Sequence, residues 1–199
     1  MTIRAVFFDL GGVIVRTEYQ APRELLAERL NLTYEDLNRI VFESETSRKA
    51  SIGAITTEEH WTAITKRIGR PASEADKIRT DFFAGDVVDR NLLDFIRKLR
   101  PRYKTGVISN AWPNMRDYLI ENKFDDAFDA IVVSAEVRVM KPEPKIYQIA
   151  LEQLKADPHE AVFVDDMSSN VEGARKLGMQ GILFQSPEQT LDKLKKILK

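Results

Sequence analysis

Acidic side chains stand at the ends of two short apolar runs in this sequence. Asp9 closes the first run and is followed by Gly11 and Gly12, residues that let the backbone come close to a ligand. Asp165 and Asp166 close a later run. One acid would suffice to cap a following helix, whereas two adjacent carboxylates repel each other, so the pair favours a hard cation bound through oxygen. Mg2+ is such a cation, since it takes one or two protein carboxylates and completes its octahedron with water and substrate phosphate.

Three further polar residues follow other apolar runs. Ser109 and Asn110 end the second run, and Lys141 comes after the third. Taken singly, Ser109 is explained as a turn or helix-cap hydroxyl and Lys141 as a solvated surface cation. In chain order, however, the sequence presents an acid, a hydroxyl, a lysine and an acidic pair, each at or just after an apolar run.

The apolar runs are short and bounded by polar or turn residues, which predicts buried strands. They are Ile3 to Phe8, Thr105 to Ser109, Ala130 to Ser134, Ala161 to Val164 and Gly181 to Phe184. Stretches with helical spacing alternate with the later runs: Leu92 to Leu99, Met115 to Asn122, Lys145 to Leu154, Val171 to Leu177 and Glu188 to Leu198. This alternation predicts a parallel sheet with helices on both faces, and such sheets bind ligands at the carboxyl ends of their strands. Every polar position described above lies at that edge.

The segment from about Arg16 to Val88 breaks the alternation, because its apolar residues recur at helical spacing only. Thr56 and Glu59 have the spacing of a capping box. We therefore predict a discontinuous core of residues 1–15 and 89–199, with a helical cap domain of residues 16–88 inserted after the first strand.

Aromatic and histidine side chains receive structural interpretations. His60 and His159 are expected at the surface, and Trp61 fits the apolar stripe of a cap helix. Trp112 lies three residues after Ser109 and is explained equally well by packing or by a place at the entrance of a site.

The ordered series of acid, hydroxyl, lysine and acidic pair resembles the haloacid dehalogenase superfamily of hydrolases. The matching segments are FFDLGGV, GVISN, KPEPKIY and VFVDDMSSNVEGARKLGM. The resemblance spans the core and implies a Rossmann-like three-layer αβα fold with a five-stranded parallel sheet. The insert lies where members of subfamily I carry a C1-type helical cap, and the DLGG form resembles a branch that includes sugar-1-phosphate phosphatases.

The resemblance also implies roles for individual residues. Asp9 would attack phosphorus and become an aspartyl phosphate. Mg2+ would be the cofactor, held by the ligands Asp9, the carbonyl of Gly11, Asp166 and, directly or through water, Asp165. Phosphate would be bound by Ser109, Asn110 and Lys141, with Ser109 donating to a phosphoryl oxygen and Lys141 neutralising charge.

The sequence departs from the family pattern at Gly11. Most phosphatases of this superfamily carry a second Asp there, which serves as general acid and then as base. Such assistance is typically worth about 10²- to 10⁴-fold, so its absence should slow the hydrolysis of ordinary alkyl phosphates. Glu18 is a candidate substitute, although its simpler explanation is a surface carboxylate.

Two alternatives to a phosphatase remain open. Dehalogenases of the same family also lack the second Asp, but they work without metal. Their motif at the end of the fourth strand resembles Ser-Ser-Asn, where this chain has Asp165 and Asp166. A catalytically silent phosphate-binding regulatory protein would keep the site and lose turnover.

Composition sets the remaining expectations. The chain has 30 basic and 31 acidic side chains, a net charge of -1 and no cysteine, so neither a nucleic-acid surface nor a thiolate site is expected. No apolar run approaches the length of a membrane span. We expect a cytoplasmic enzyme acting on a small phosphorylated metabolite, as a monomer or homodimer.

Overall fold

The computed structural model describes residues 2–198, so Met1 and Lys199 at the ends of the predicted core lie outside it. The strands in chain order are β1 (Ala5–Phe8), β2 (Val15–Thr17), β3 (Asp86–Val88), β4 (Lys104–Ser109), β5 (Ala130–Val133), β6 (Ala161–Asp165) and β7 (Gln180–Leu183). Five of them form one parallel sheet in the order β5-β4-β1-β6-β7, while β2 and β3 form a separate antiparallel ribbon.

Eleven α-helices are formed within residues 2–198. They are α1 (Ala21–Arg29), α2 (Tyr34–Phe42), α3 (Glu45–Ser51), α4 (Thr57–Arg67), α5 (Ala75–Phe83), α6 (Arg90–Leu99), α7 (Met115–Glu121), α8 (Ser134–Val137), α9 (Pro144–Leu154), α10 (Ser168–Lys176) and α11 (Pro187–Ile197). None of them is both long and apolar enough to cross a membrane.

Helices cover both faces of the sheet, as β1 illustrates. Because successive side chains of a strand point to opposite faces, Val6 and Phe8 join the apolar cluster that contains α6 and α11, whereas Ala5 and Phe7 join the cluster of α9 and α10. All four side chains are fully buried. The predicted three-layer fold with a five-stranded parallel sheet is therefore confirmed.

The strand register brings the polar strand ends to one edge. Phe8 of β1 aligns with Val107 of β4 on one side and with Val164 of β6 on the other. The residues that follow at this edge include Asp9, Ser109 and Asp165.

Helices α1 to α5 all lie between β2 and β3, and α1, α2, α4 and α5 share an apolar core that includes Leu37, Trp61 and Phe82. The segment is helical, as predicted, and it also begins and ends in the β2–β3 ribbon, which the sequence did not indicate. The division into residues 1–15 with 89–199 and residues 16–88 stays a prediction. We refer to residues 16–88 as the helical segment.

Local signals in the helical segment gave mixed results. The capping box of Thr56 and Glu59 is confirmed at the start of α4. The expectation that His60 lies at the surface was wrong: its side chain is fully buried, with Nδ1 2.9 Å from the Thr46 hydroxyl and its ring 4.5 Å from that of Trp112. Trp61 is buried, as its helical stripe indicates.

Helix α10 packs closely on the loop that carries Lys141, and Gly173 permits this approach. A Cβ at Gly173 would lie 2.8 Å from Pro142 Cβ and 2.9 Å from the Pro142 carbonyl oxygen. Replacing a helical glycine by alanine normally stabilises a helix by about 1 kcal/mol, but here we expect Gly173→Ala to lower the free energy of unfolding by about 1–3 kcal/mol through overpacking. Denaturant melts would measure this change in the free energy of unfolding. Lys176→Ala, at an exposed position of the same helix, is the matched control, and a Gly173→Ala protein as stable as this control would contradict the packing argument.

Candidate active site

Three polar side chains are buried at the carboxyl edge of the sheet. Asp9 is 7% exposed, Ser109 is 3% exposed and Asp165 is fully buried. They come from the neighbouring strands β1, β4 and β6, which lie about 4.8 Å apart across the sheet. The Asp9 amide donates to the Val164 carbonyl at 2.8 Å, which joins the start of the turn after β1 to the end of β6. The structure thus brings the predicted nucleophile, hydroxyl and acid to one place.

Lys141 joins two of these carboxylates. Its Nζ lies 2.8 Å from Asp9 Oδ1 and 2.7 Å from Asp165 Oδ2, and its side chain is completely buried. The predicted contact of Lys141 with the nucleophile is therefore present in the geometry, whereas its explanation as a solvated cation is excluded.

Asp165 is held by the start of α10. Its Oδ1 accepts a hydrogen bond from the Met167 amide at 2.7 Å, and the Asn170 side-chain amide lies 3.1 Å from both carboxylate oxygens. Both Asp165 oxygens therefore have protein partners, with Lys141 on Oδ2. We expect a carboxylate bound in this way to orient Lys141 and to meet a metal ion through water.

Ser169 and Glu172 have the spacing of a capping box, which predicts a helix start at Ser169, but the structure forms no capping box there. α10 begins at Ser168, so its N-cap is Met167, two residues before Ser169, and Met167 makes no side-chain capping bond. Asp165 supplies the acceptor at this helix start instead, through the Met167 amide.

Asn110 acts on the main chain of Lys141. Its Oδ1 accepts from the Lys141 amide at 2.8 Å, and its Nδ2 donates to the Lys141 carbonyl at 3.0 Å. These two bonds fix the backbone from which Lys141 extends and occupy the Asn110 oxygen. Direct contact of Asn110 with phosphate stays a prediction, for which its second amide hydrogen is available.

The buried charges around Asp9 do not balance. Asp9 and Asp165 are two carboxylates, and Lys141 is the cation that both contact. Burial raises the pKa of Asp9 to about 7; Lys141 opposes this rise and Asp165 adds to it. A further positive charge would favour the ionised form of both carboxylates.

The carboxylates fit a divalent cation. One oxygen each from Asp9, Asp165 and Asp166 lies within 4.8 Å of the others, comparable to the oxygen spacing of about 3–4 Å around an octahedral Mg2+. Asp166 is the exposed member. Gly11 follows Asp9 closely and forms a β-bridge with Val15. The ligand roles of Asp9, Gly11, Asp165 and Asp166 stay predictions.

Asn170 received no role from the sequence, and Gly12 received only a general one. Asn170 lies in the segment VFVDDMSSNVEGARKLGM, and its place in the first turn of a helix after an acidic strand end was the available signal. Gly12 has φ +77°, and a Cβ there would overlap the Asp166 carboxylate. Glu18, the candidate proton donor, instead binds Arg16, with the Arg16 Nη2 2.8 Å from Glu18 Oε1.

Comparison with known proteins identifies related sequences. Residues 3–178 match the family of haloacid dehalogenase-like hydrolases. Bifunctional epoxide hydrolase 2 of Rattus norvegicus is 28% identical over 217 residues, which cover 99% of this chain and 39% of that protein. The chain thus spans about two fifths of the length of the bifunctional epoxide hydrolases that it matches.

Two further relatives match over nearly their whole length. D-ribitol-5-phosphate phosphatase of Bacteroides thetaiotaomicron is 26% identical over 200 residues, covering 96% of this chain and 94% of that protein. A crystal structure of a HAD family enzyme from the same organism, in complex with magnesium and inorganic phosphate, superposes with a TM-score of 0.78 at 24% identity, covering 93% of this chain and 96% of that one. This structural likeness shows a shared fold.

The turn after Asp9 yields a prediction about metal binding. Gly12→Ala places a methyl group against Asp166 and strains a left-handed backbone, so we expect Mg2+ affinity to fall at least about tenfold and stability by about 1 kcal/mol. Titration calorimetry and thermal melts measure the two effects.

Gly69→Ala is the matched control for this substitution. Gly69 has nearly the same φ, +69°, but a Cβ there meets nothing within 4 Å. This variant should lose the same stability and keep its Mg2+ affinity. Equal Mg2+ affinity in both variants would show that Asp166 does not hold the ion.

Proposed function

This chain belongs to the haloacid dehalogenase-like hydrolase family, and we propose that it is a Mg2+-dependent phosphatase that hydrolyses a small phosphorylated metabolite through an aspartyl phosphate on Asp9. The observation that carries this proposal is the buried Asp9, Lys141 and Asp165 group with Asp166 beside it. The helical segment would be the cap over this site. A sugar phosphate is the candidate substrate from the DLGG motif, and the ribitol-phosphate specificity of one relative agrees with a small phosphorylated polyol.

Asp9 begins the reaction as nucleophile. One carboxylate oxygen attacks phosphorus, the bond from phosphorus to the ester oxygen breaks, and the phosphoryl group remains on Asp9 as an acyl phosphate. Water then hydrolyses that intermediate and releases inorganic phosphate. Because Lys141 donates to Asp9 Oδ1, the other oxygen, Oδ2, is the one that we assign to the attack.

Lys141 and Ser109 stabilise the charge that moves. The Lys141 ammonium is held beside the reacting carboxylate by Asp165 and Asn110, so it needs no reorganisation when phosphoryl oxygens approach. Ser109 extends the same edge and would donate its hydroxyl to one of those oxygens. Mg2+, held by Asp9, Asp166 and the Gly11 carbonyl with Asp165 behind them, would supply charge neutralisation and orient the phosphate.

The phosphatase and dehalogenase hypotheses differ in the metal that the reaction requires and in the product that it releases. We expect phosphate release from an aryl phosphate, an acyl phosphate and a sugar 1-phosphate to require Mg2+, and Asp9→Asn to lower turnover by at least about a thousandfold. Asp192→Asn, the same change at an exposed position of α11, is the control. Full turnover in excess chelator, or release of halide from a haloacid, would identify dehalogenase chemistry. Phosphate bound by the wild-type protein without turnover would identify a silent binding protein.

Gly11 yields a prediction about the leaving group. If a missing general acid limits the rate, aryl, acyl and anomeric phosphates should react far faster than simple alkyl esters. Gly11→Asp should then speed alkyl esters preferentially, by up to about 10²-fold. The structure gives room for this change, since Gly11 has no left-handed φ and a Cβ there meets nothing within 4 Å.

Gly11→Asn is the matched control, because it has nearly the same shape and no acid. A wild-type rate that does not depend on leaving-group acidity would show that protonation is not limiting. An equal gain in the Asn variant would show that the effect is not proton transfer.

A further inference from the structure

Phe42, the last residue of α2, presents half of an aromatic ring to solvent. Its side chain is 49% exposed, although one side of the ring contacts the fully buried Phe82 at a centroid distance of 5.4 Å. The ring also stacks on Trp112, with centroids 6.0 Å apart and planes 24° apart. A large apolar surface is thus fixed in place and only partly covered.

Trp112 ties this ring to the loop that carries Ser109. It lies three residues after Ser109, and its Nε1 donates to the Ser47 hydroxyl at 3.3 Å. That hydroxyl in turn donates to the Phe42 carbonyl at 2.9 Å. Phe42 is therefore held against the segment that leaves β4.

A second chain of contacts ties the same helix face to the segment that leaves β1. Asn38 lies one turn before Phe42 on α2, and its Oδ1 accepts from Arg23 at 2.8 Å. Arg23 also donates to the Thr17 hydroxyl at 3.1 Å, at the end of β2, which follows Asp9 by a short turn. The Arg23 guanidinium carbon lies 5.9 Å from the Phe42 ring centroid.

These two sets of contacts place Phe42 between the segments that follow β1 and β4, the adjacent strands that end at Asp9 and Ser109. Another exposed apolar side chain follows a strand end at the same edge: Met167, 55% exposed, comes directly after Asp166. The predicted phosphate site is therefore bordered by apolar side chains.

We propose that Phe42, backed by Trp112, binds the alcohol portion of the substrate, and that this portion is apolar: an alkyl, prenyl or aryl group, in place of the sugar that the DLGG motif predicts. The inference rests on the proposed phosphatase function. A hydrocarbon chain covers the free face of the Phe42 ring, and each methylene that leaves water strengthens binding by up to about fourfold. A sugar or polyol gains less from that face, because its hydroxyl groups lose water there.

Monoalkyl phosphates test this inference, because their leaving groups have similar acidity and differ in apolar length. We expect kcat/KM to rise from ethyl through butyl and hexyl to octyl phosphate, by at least about threefold for each added pair of methylenes, and to exceed the value for glycerol phosphate. Concentrations stay below those at which the long esters form micelles. The ratio of octyl to ethyl values is the readout, since it cancels changes in active-enzyme concentration.

Substitutions at Phe42 test whether this residue causes the dependence of kcat/KM on chain length. Phe42→Gln should reduce the octyl-to-ethyl ratio at least about fivefold, whereas Phe42→Leu, which stays apolar, should keep most of it. Leu25→Ala, at an apolar position of α1 that is 65% exposed, should leave the ratio unchanged. Thermal melts confirm that each variant is folded.

The outcomes separate this inference from the proposed function. Mg2+-dependent phosphate release that does not depend on chain length, or that is faster with the polyol phosphate, overturns the inference alone. An unchanged ratio in Phe42→Gln also overturns it. The absence of phosphate release from every ester overturns the proposed function, and this inference with it.

Discussion

The site depends on one buried ammonium group between two buried carboxylates. Lys141 contacts Asp9 at 2.8 Å and Asp165 at 2.7 Å. All three side chains are buried, so none of the charged groups is fully hydrated. A buried charge is tolerated only when it is paired and hydrogen-bonded. The surrounding structure meets this demand: Asn110 fixes the Lys141 main chain, and Met167 and Asn170 supply Asp165 with donors. Two anions and one cation leave one negative charge among these three groups, and Asp166 adds another, so a divalent cation would balance the charge of the site.

Sheet order and one glycine bring these groups within reach. Since β1 lies between β4 and β6, no residue of the site has to cross more than one strand spacing to reach Asp9. Lys141 comes from a loop and not from a strand end, so its position depends on how closely α10 packs against that loop. Gly173 allows the contact with Pro142, where a side chain would push the loop away. Packing remote from the reacting atoms thereby determines whether the ion pairs form.

The sequence was sufficient to predict the sheet and the residues at its edge, because short apolar runs that end in acids carry a strong signal. It was not sufficient for features that depend on partners distant along the chain. The Asn110 amide binds a backbone 31 residues away, and His60 is buried because Thr46 and Trp112 enclose it. The β2–β3 ribbon was missed since its strands have three residues each and contain Arg16, Thr17 and Asp86, which do not resemble an apolar run. The capping box expected at α10 was wrong for a local reason: the Asp165 carboxylate accepts from the Met167 amide at the start of this helix.

The segment after β4 couples the helical segment to the predicted phosphate site. Ser109 faces the edge of the sheet, Asn110 holds Lys141, and Trp112 packs among the aromatic rings of the helical segment. The Pro113 carbonyl accepts a hydrogen bond from Thr57 of α4 at 2.8 Å. Five consecutive residues thus contact both the group that would bind phosphate and the part of the chain that would bind the rest of a substrate. A displacement of the helical segment on this side would pull on the Lys141 backbone through Asn110. Substrate contacts of the kind proposed for the helical segment would therefore bear on the position of the ammonium group through Asn110.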